Sequence, residues 1–205
     1  MANMDAKKVS FALMMGALGN VFFAISYYTG QIAPGIALDF SLIAALIAGF
    51  YGGSTLGFVT GLLAGALPGI MFGPLGTGSW LGLIGLPIGK ALTGLTAGLI
   101  AESLSLGRKP RSSLLGIPAT LLAYVPEAIF TYAYFSYLMP LFLAQEIGTA
   151  VIITILIKAT GEVIIMSVII AALMGNKGFN DFVRTFFPKA RSAPEATATE
   201  HLKRG

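Results

Sequence analysis

Apolar residues in this chain fall in runs too long for a soluble helix, broken at intervals by glycine-rich or charged joints. The longest is Gly148–Met174, GTAVIITILIKATGEVIIMSVIIAALM. About 20 apolar residues at ~1.5 Å rise cross a hydrocarbon core, so this run predicts a membrane-spanning helix. Five further runs predict spans near 9–28, 36–50, 54–72, 80–101 and 114–137. The result is an all-α membrane protein with a six-helix transmembrane domain over residues 1–178.

Charge placement sets the topology. Lys7 and Lys8 precede the first span, and Arg108, Lys109 and Arg111 lie between the fourth and fifth. Lys and Arg stay on the cytoplasmic side, so an even number of crossings must separate the two groups. That parity divides residues 36–72 into two spans at Tyr51-Gly52-Gly53. The joints at 29–35, 73–79 and 139–147 carry no Lys or Arg and suit the outside. Lys177, Arg184, Lys189 and Arg191 return to the inside, which places both termini in the cytoplasm. Phe179, Phe182, Val183, Phe186 and Phe187 follow helical spacing and predict an amphipathic interfacial helix over 179–188. Residues 189–205 are polar and small and predict a disordered cytoplasmic tail.

Composition narrows the class. Of 205 residues, 56% are hydrophobic and 11% charged, with a net charge of +4. A soluble domain carries about 25% charged residues. The positive balance encodes topology and is no signal for nucleic acid. The apolar run after MANMDAKK lacks a cleavage site and predicts an uncleaved first span. Cysteine is absent, which excludes disulfides and thiol chemistry, and the one histidine, His201, lies in the tail. No metal site or cofactor is therefore expected, and no Ser-His or Cys-His arrangement supports an enzyme. GLPIGKA at Gly85–Ala91 lacks the spacing and the final Ser or Thr of a phosphate loop. The GPLGTG run has no preceding strand for dinucleotide binding.

The remaining polarity is concentrated. Lys90, Glu127, Lys158 and Glu162 interrupt apolar runs at a depth where one charge costs roughly 3 kcal/mol on insertion scales. Lys158 and Glu162 are four residues apart and can pair on one helical face. Thr120, Tyr124, Glu127, Thr131 and Tyr134 form one polar stripe. Two positive and two negative groups can neutralise one another within the membrane. Such a network either fixes helix positions or lines a binding site or ion path, and four charges exceed what helix registration needs. Tyr27, Tyr28, Phe72, Trp80, Tyr134 and Tyr137 fall toward the outer ends. Rings above a charged floor suit a small amphoteric molecule. Trp80 reads equally as an interfacial anchor or a ligand-stacking ring, and Asp39 as a helix cap or a ligand contact. Glycines at 49, 53, 57, 61, 65, 69 and 73 give a strip for close helix packing, or flexibility for transport.

The order of these features resembles the S components of energy-coupling factor (ECF) transporters, the substrate-binding membrane subunits for vitamins and related micronutrients. The resemblance rests on six spans, a short second span opening with Leu38–Ser41 (LDFS), a glycine-rich third span and the following GP loop. It covers roughly residues 8–174. It implies a multi-pass protein of the cell membrane that partners a transmembrane coupling subunit and two cytosolic ATPases, and that topples to release its solute. It implies a docking face of small residues on the first span, matched here by Ala12 and Gly16, with Asn20 in place of the third. It also implies a substrate site on the outer side, with Trp80, Lys90, Glu127, Tyr134, Lys158 and Glu162 as candidates. A self-sufficient proton-coupled carrier using Glu127 or Glu162 is the alternative; a lipid enzyme and a purely structural subunit are weaker rivals.

Overall fold

The computed structural model describes residues 6–29, 31–33, 36–76, 78–104, 113–144 and 146–187. Helices dominate it: α1 (Ala6–Thr29), α2 (Leu42–Gly52), α3 (Ser54–Ala64), α4 (Ala66–Phe72), α5 (Ser79–Leu104), α6 (Gly116–Ala133), α7 (Met139–Leu143), α8 (Thr149–Gly175) and α9 (Lys177–Arg184). Two very short strands, β1 (Gln31–Ala33) and β2 (Ile36–Ala37), pair antiparallel between α1 and α2. Among the described residues, four segments are long and apolar enough to cross a membrane: α1, α3 with α4, α5 and α8. Val21 and Ile25 of α1, Leu122 and Ile129 of α6, and Ile157 and Val168 of α8 are exposed. Outward apolar faces on long helices are the pattern of a membrane protein.

The second predicted span takes a different form. Residues 36–50 were expected to be one helix, but the helix begins only at Leu42. The Asp39 side chain accepts hydrogen bonds from the Ser41 backbone N–H at 2.9 Å and the Ser41 hydroxyl at 2.6 Å. Such a local bond competes with helical winding, and residues 36–41 stay outside the helix. The resulting helix has 11 residues and is about 16 Å long at the α-helical rise, half a hydrocarbon core. Every residue from Leu42 to Phe50 is buried, so α2 is a short central post surrounded by the longer helices.

The run expected as span five is continuous but not regular. After α6 the ladder widens into a π-helical turn, Tyr134–Leu138, before α7. Pro140 has no N–H for the Ser136 carbonyl, and the widened turn stands directly before it.

The glycine row is a seam. A Cβ on Gly57 would strike the Gly94 carbonyl, and one on Gly94 would strike Gly57. Further along, Gly61 faces the Lys90 carbonyl and Ala91, Gly65 faces Pro87, and Gly98 faces Ser54. The α3–α4 and α5 backbones therefore touch, and this close approach fixes the level of Lys90. Gly53, at φ +89°, turns α2 directly into α3. Glu102 at the far end of α5 caps that turn, its Oε1 accepting from the Ser54 N–H at 2.9 Å; a carboxylate at a helix N-terminus is favourable.

Ala12, Gly16 and Asn20 do share one face of α1, but the face points inward. Ala12 is 1% exposed, and a Cβ on Gly16 would fall 2.5 Å from Leu63 Cβ. The face expected to dock a partner is thus an internal seam against α3, because the small residues are consumed by packing within the chain. Asn20 completes it. Its Nδ2 donates to the Leu63 and Gly16 carbonyls and its Oδ1 accepts from the Leu67 N–H, each at 2.9 Å. Leu63 and Leu67 are an i, i+4 pair across the α3–α4 break, so the amide stands in for a helical hydrogen bond. A side chain inserted into the ladder is a recognised cause of helix breaks.

Of the residues expected on the inner surface, Val183, Phe186 and Phe187 pack onto the end of the bundle, while Phe182 is exposed. Val183 of α9 is buried, Phe186 and Phe187 pack on Phe11 with ring centroids 5.1 Å away, and Tyr51 donates to Asn180 Oδ1 at 2.7 Å. The basic loop with Arg108, Lys109 and Arg111, and the tail expected over 189–205, lie outside the described residues.

Candidate functional site

The charged side chains meet around the N-terminal end of the α2 post. Lys90 reaches from α5 to Asp39 Oδ2 at 2.6 Å, and its residue is only 5% exposed. The Asp39 backbone N–H donates to Glu162 Oε1 at 2.6 Å, and Lys158 pairs with the same oxygen at 3.1 Å. A chain of contacts therefore runs from α5 through the turn before α2 to α8. Glu127 on α6 adds a fifth charge. Its Oε2 accepts a hydrogen bond from Thr93 at 2.5 Å, and it feels Lys90, Asp39 and Lys158 electrostatically.

Each element delivers its group for a local reason. The glycine seam holds α5 against α3 and sets the height of Lys90, with Thr93 one turn further on. The turn at Asp39–Ser41 keeps the chain out of the helix until Leu42 and leaves the Asp39 Oδ2 and backbone N–H to bond across the bundle. The i, i+4 spacing on α8 pairs Lys158 with Glu162 before any partner is involved. Pairing and hydrogen bonding are what make charges tolerable in an apolar interior.

Buried hydroxyls border the cluster. Thr120 and Tyr124 lie on the α6 stripe that carries Glu127, and Tyr134 opens the π-helical turn that follows it. The Thr120 and Tyr134 hydroxyls are buried and make no hydrogen bond to another described residue. Tyr124 lies within electrostatic range of both Glu127 and Glu162. Unpartnered buried polar groups are uncommon and call for a specific explanation.

The aromatic residues do not form one ring above the charges. Tyr27 and Phe72 pack together with Phe23 and Tyr28, and Tyr134 packs with Phe130 and Phe135. Trp80 is 49% exposed and meets Phe142 edge-on at 5.9 Å. Of the residues expected at a binding site, Lys90, Glu127, Lys158 and Glu162 come together, Tyr134 sits in the π-helical turn after α6, and Trp80 stands outside. Asp39 is the residue that sequence reasoning underweighted: it reads as a helix cap and is instead the partner of Lys90. A lone acid in an apolar run that also holds a distant lysine was the available signal.

No family model, curated protein or solved structure matches this chain.

Proposed function

We propose that this chain is a six-span, multi-pass subunit of the cell membrane that binds a small amphoteric solute and works with an ECF-type coupling subunit and two cytosolic ATPases, without catalysing a reaction itself. The observation that carries the reading is the convergence of Asp39, Lys90, Glu127, Lys158 and Glu162 on one interior point. A structural bridge needs two charges. Five charges in an apolar bundle offer a solute both signs of partner, and its ionic groups can exchange with Asp39–Lys90 or Lys158–Glu162 at little net cost.

In this arrangement α2 is a half-length crossing whose outer part is completed by the β1–β2 ribbon and the Asp39 turn, and α6–α7 form the fifth span. A short helix that ends at a polar site resembles the broken helices of carriers, where irregular backbone is tolerated only beside a site. Both termini lie in the cytoplasm by charge placement. Solute enters from outside past Tyr134 and the 73–79 connection. Because Ala12 and Gly16 are buried, docking to a coupling subunit uses the outward residues of α1, such as Leu13 and Val21.

A second reading, a proton-coupled carrier, is favoured by one fact: Glu127 belongs to neither interior ion pair. The readings separate by experiment. Mass spectrometry of the gently purified chain should find a bound solute, and Lys90→Ala and Glu127→Gln should each abolish its retention. Retention unchanged in both variants would remove this site. Uptake by the chain alone in liposomes, driven by a pH gradient, would favour the carrier.

A further inference from the structure

Lysines are treated differently in the interior and at the end closed by α9. Lys90 and Lys158 each meet a carboxylate. Lys7, Lys8 and Lys177 are in no ion pair among the described residues. Beside Lys7 opens a cleft of about 450 Å³. Ala6, Lys7 and Ser10 of α1 form one wall, and Thr185 and Phe186, just after α9, form the other.

The cleft carries a polar end and an apolar flank. Phe186 is held in place by Phe11, with ring centroids 5.1 Å apart, and meets Phe182 edge-on at 5.5 Å. Phe182 is 52% exposed, so an aromatic surface runs from the cleft onto the outside of α9. On α1, Lys7, Ser10 and Met14 share one face by their spacing, and Leu13 and Met14 are exposed. Cation, hydroxyl and apolar side chain thus follow one another in the order of phosphate, glycerol and acyl chain in a lipid. The Ser10 hydroxyl is available. The exposed Thr29, Thr154 and Thr160 each donate to the carbonyl four residues back, and Thr185 donates to the Phe182 carbonyl. Ser10 makes no hydrogen bond among the described residues. The acids at this end lie off the cleft lining: Asp181 is exposed a turn before Thr185, and Glu102 is engaged by the Ser54 N–H.

We propose that this cleft seats the headgroup of one anionic phospholipid. Lys7 is the cation for its phosphate, Ser10 donates a hydroxyl, and Phe186, Phe182 and Leu13 lie against its chains. A zwitterionic headgroup would bring an ammonium to a lining that holds no acid, so the cleft selects net negative charge. The lipid joins α9 to the start of α1 at the membrane surface, as amphipathic interfacial helices are held by apolar burial and anionic lipid together. This site is separate from the solute site. It takes from the reading above only that this end faces the cytoplasmic leaflet, where anionic lipid is concentrated.

The test uses the full chain in neutral detergent and three probes: dioleoylphosphatidylglycerol, dioleoylphosphatidylcholine and sodium phosphate. Phosphatidylglycerol should raise the thermal unfolding midpoint by a few degrees, and one molecule should stay bound through native mass spectrometry. Phosphatidylcholine and phosphate should do neither. Lys7→Gln should abolish both effects, and so should Ser10→Phe, which blocks the cleft and keeps every charge. Lys177→Gln removes a cation from the same end but outside the cleft lining, and should respond like the wild-type chain. Retention unchanged in Lys7→Gln, an equal loss in Lys177→Gln, or an equal response to phosphatidylcholine overturns the proposal. A rise with sodium phosphate as large as with phosphatidylglycerol overturns the choice of a lipid. No response of the wild-type chain to phosphatidylglycerol overturns the site and leaves the solute-binding role standing.

Discussion

The two faces of α5 follow opposite rules. Toward α3 it meets glycine with glycine, and backbone touches backbone without a single charged side chain between Gly57 and Gly94. Toward α2, α6 and α8 it sends Lys90 and Thr93 into a shared network of acids and hydroxyls. The first face is held by close packing, which tolerates no added atom. The second is held by charge pairing, which tolerates changes of shape and is sensitive to the loss of one partner. One helix thus separates a rigid wall from a polar interior, and the wall sets where the interior begins.

That contrast can be broken from either side. The largest effect should come from Lys90→Met, which leaves Asp39 buried without its cation. Breaking one side of such a pair costs about 3–5 kcal/mol, and Lys90→Met with Asp39→Leu should recover much of the loss. Thermal unfolding of the two variants in the same detergent measures the difference; a double variant no better than the single would show that pairing is not what holds this face.

Asn20→Leu should come next. It strips partners from the Leu63 carbonyl and the Leu67 N–H at the α3–α4 break, and each unsatisfied buried group costs about 1–3 kcal/mol. Hydrogen exchange should rise around residues 63–67 and remain unchanged in α8. Gly57→Ala tests the wall itself. Its new methyl would meet the Gly94 carbonyl, and overpacking costs roughly 1–3 kcal/mol. The same substitution at Gly161, beside which a Cβ has open space, should be neutral or slightly stabilising because alanine favours helix. Tyr51→Phe should have the smallest effect: it removes the hydrogen bond to Asn180, a loss of about 1 kcal/mol, seen as faster proteolysis near α9 with the bundle intact.

Much of this was legible beforehand, and the reasons are local. The long apolar runs declare helices because only a helix satisfies its own backbone in an apolar medium. Lys158 and Glu162 declare their pairing because four residues make one turn and a little more. The glycine strip announces close approach by its spacing. Asp39 was harder. A side chain that bonds its own neighbour and a lysine 51 residues away looks, in one dimension, like an ordinary cap. The inward turn of Ala12 and Gly16 was equally hidden, since a small-residue face fits a partner protein and a neighbouring helix equally well. That Glu127 stands outside both ion pairs needed the pairing first, because a net count of charges does not say which of them are already matched.

The sequence alone determined the class of the molecule: long apolar helices carrying a few buried charges. Hydropathy, spacing and charge placement are properties of the chain as a string, and the bilayer reads them in that form. Tertiary structure decided which acid meets which lysine, which face of α1 is spent inside, and which carboxylate is left without a cation. Those outcomes depend on distances between helices remote in sequence, set by how closely glycine lets two backbones approach.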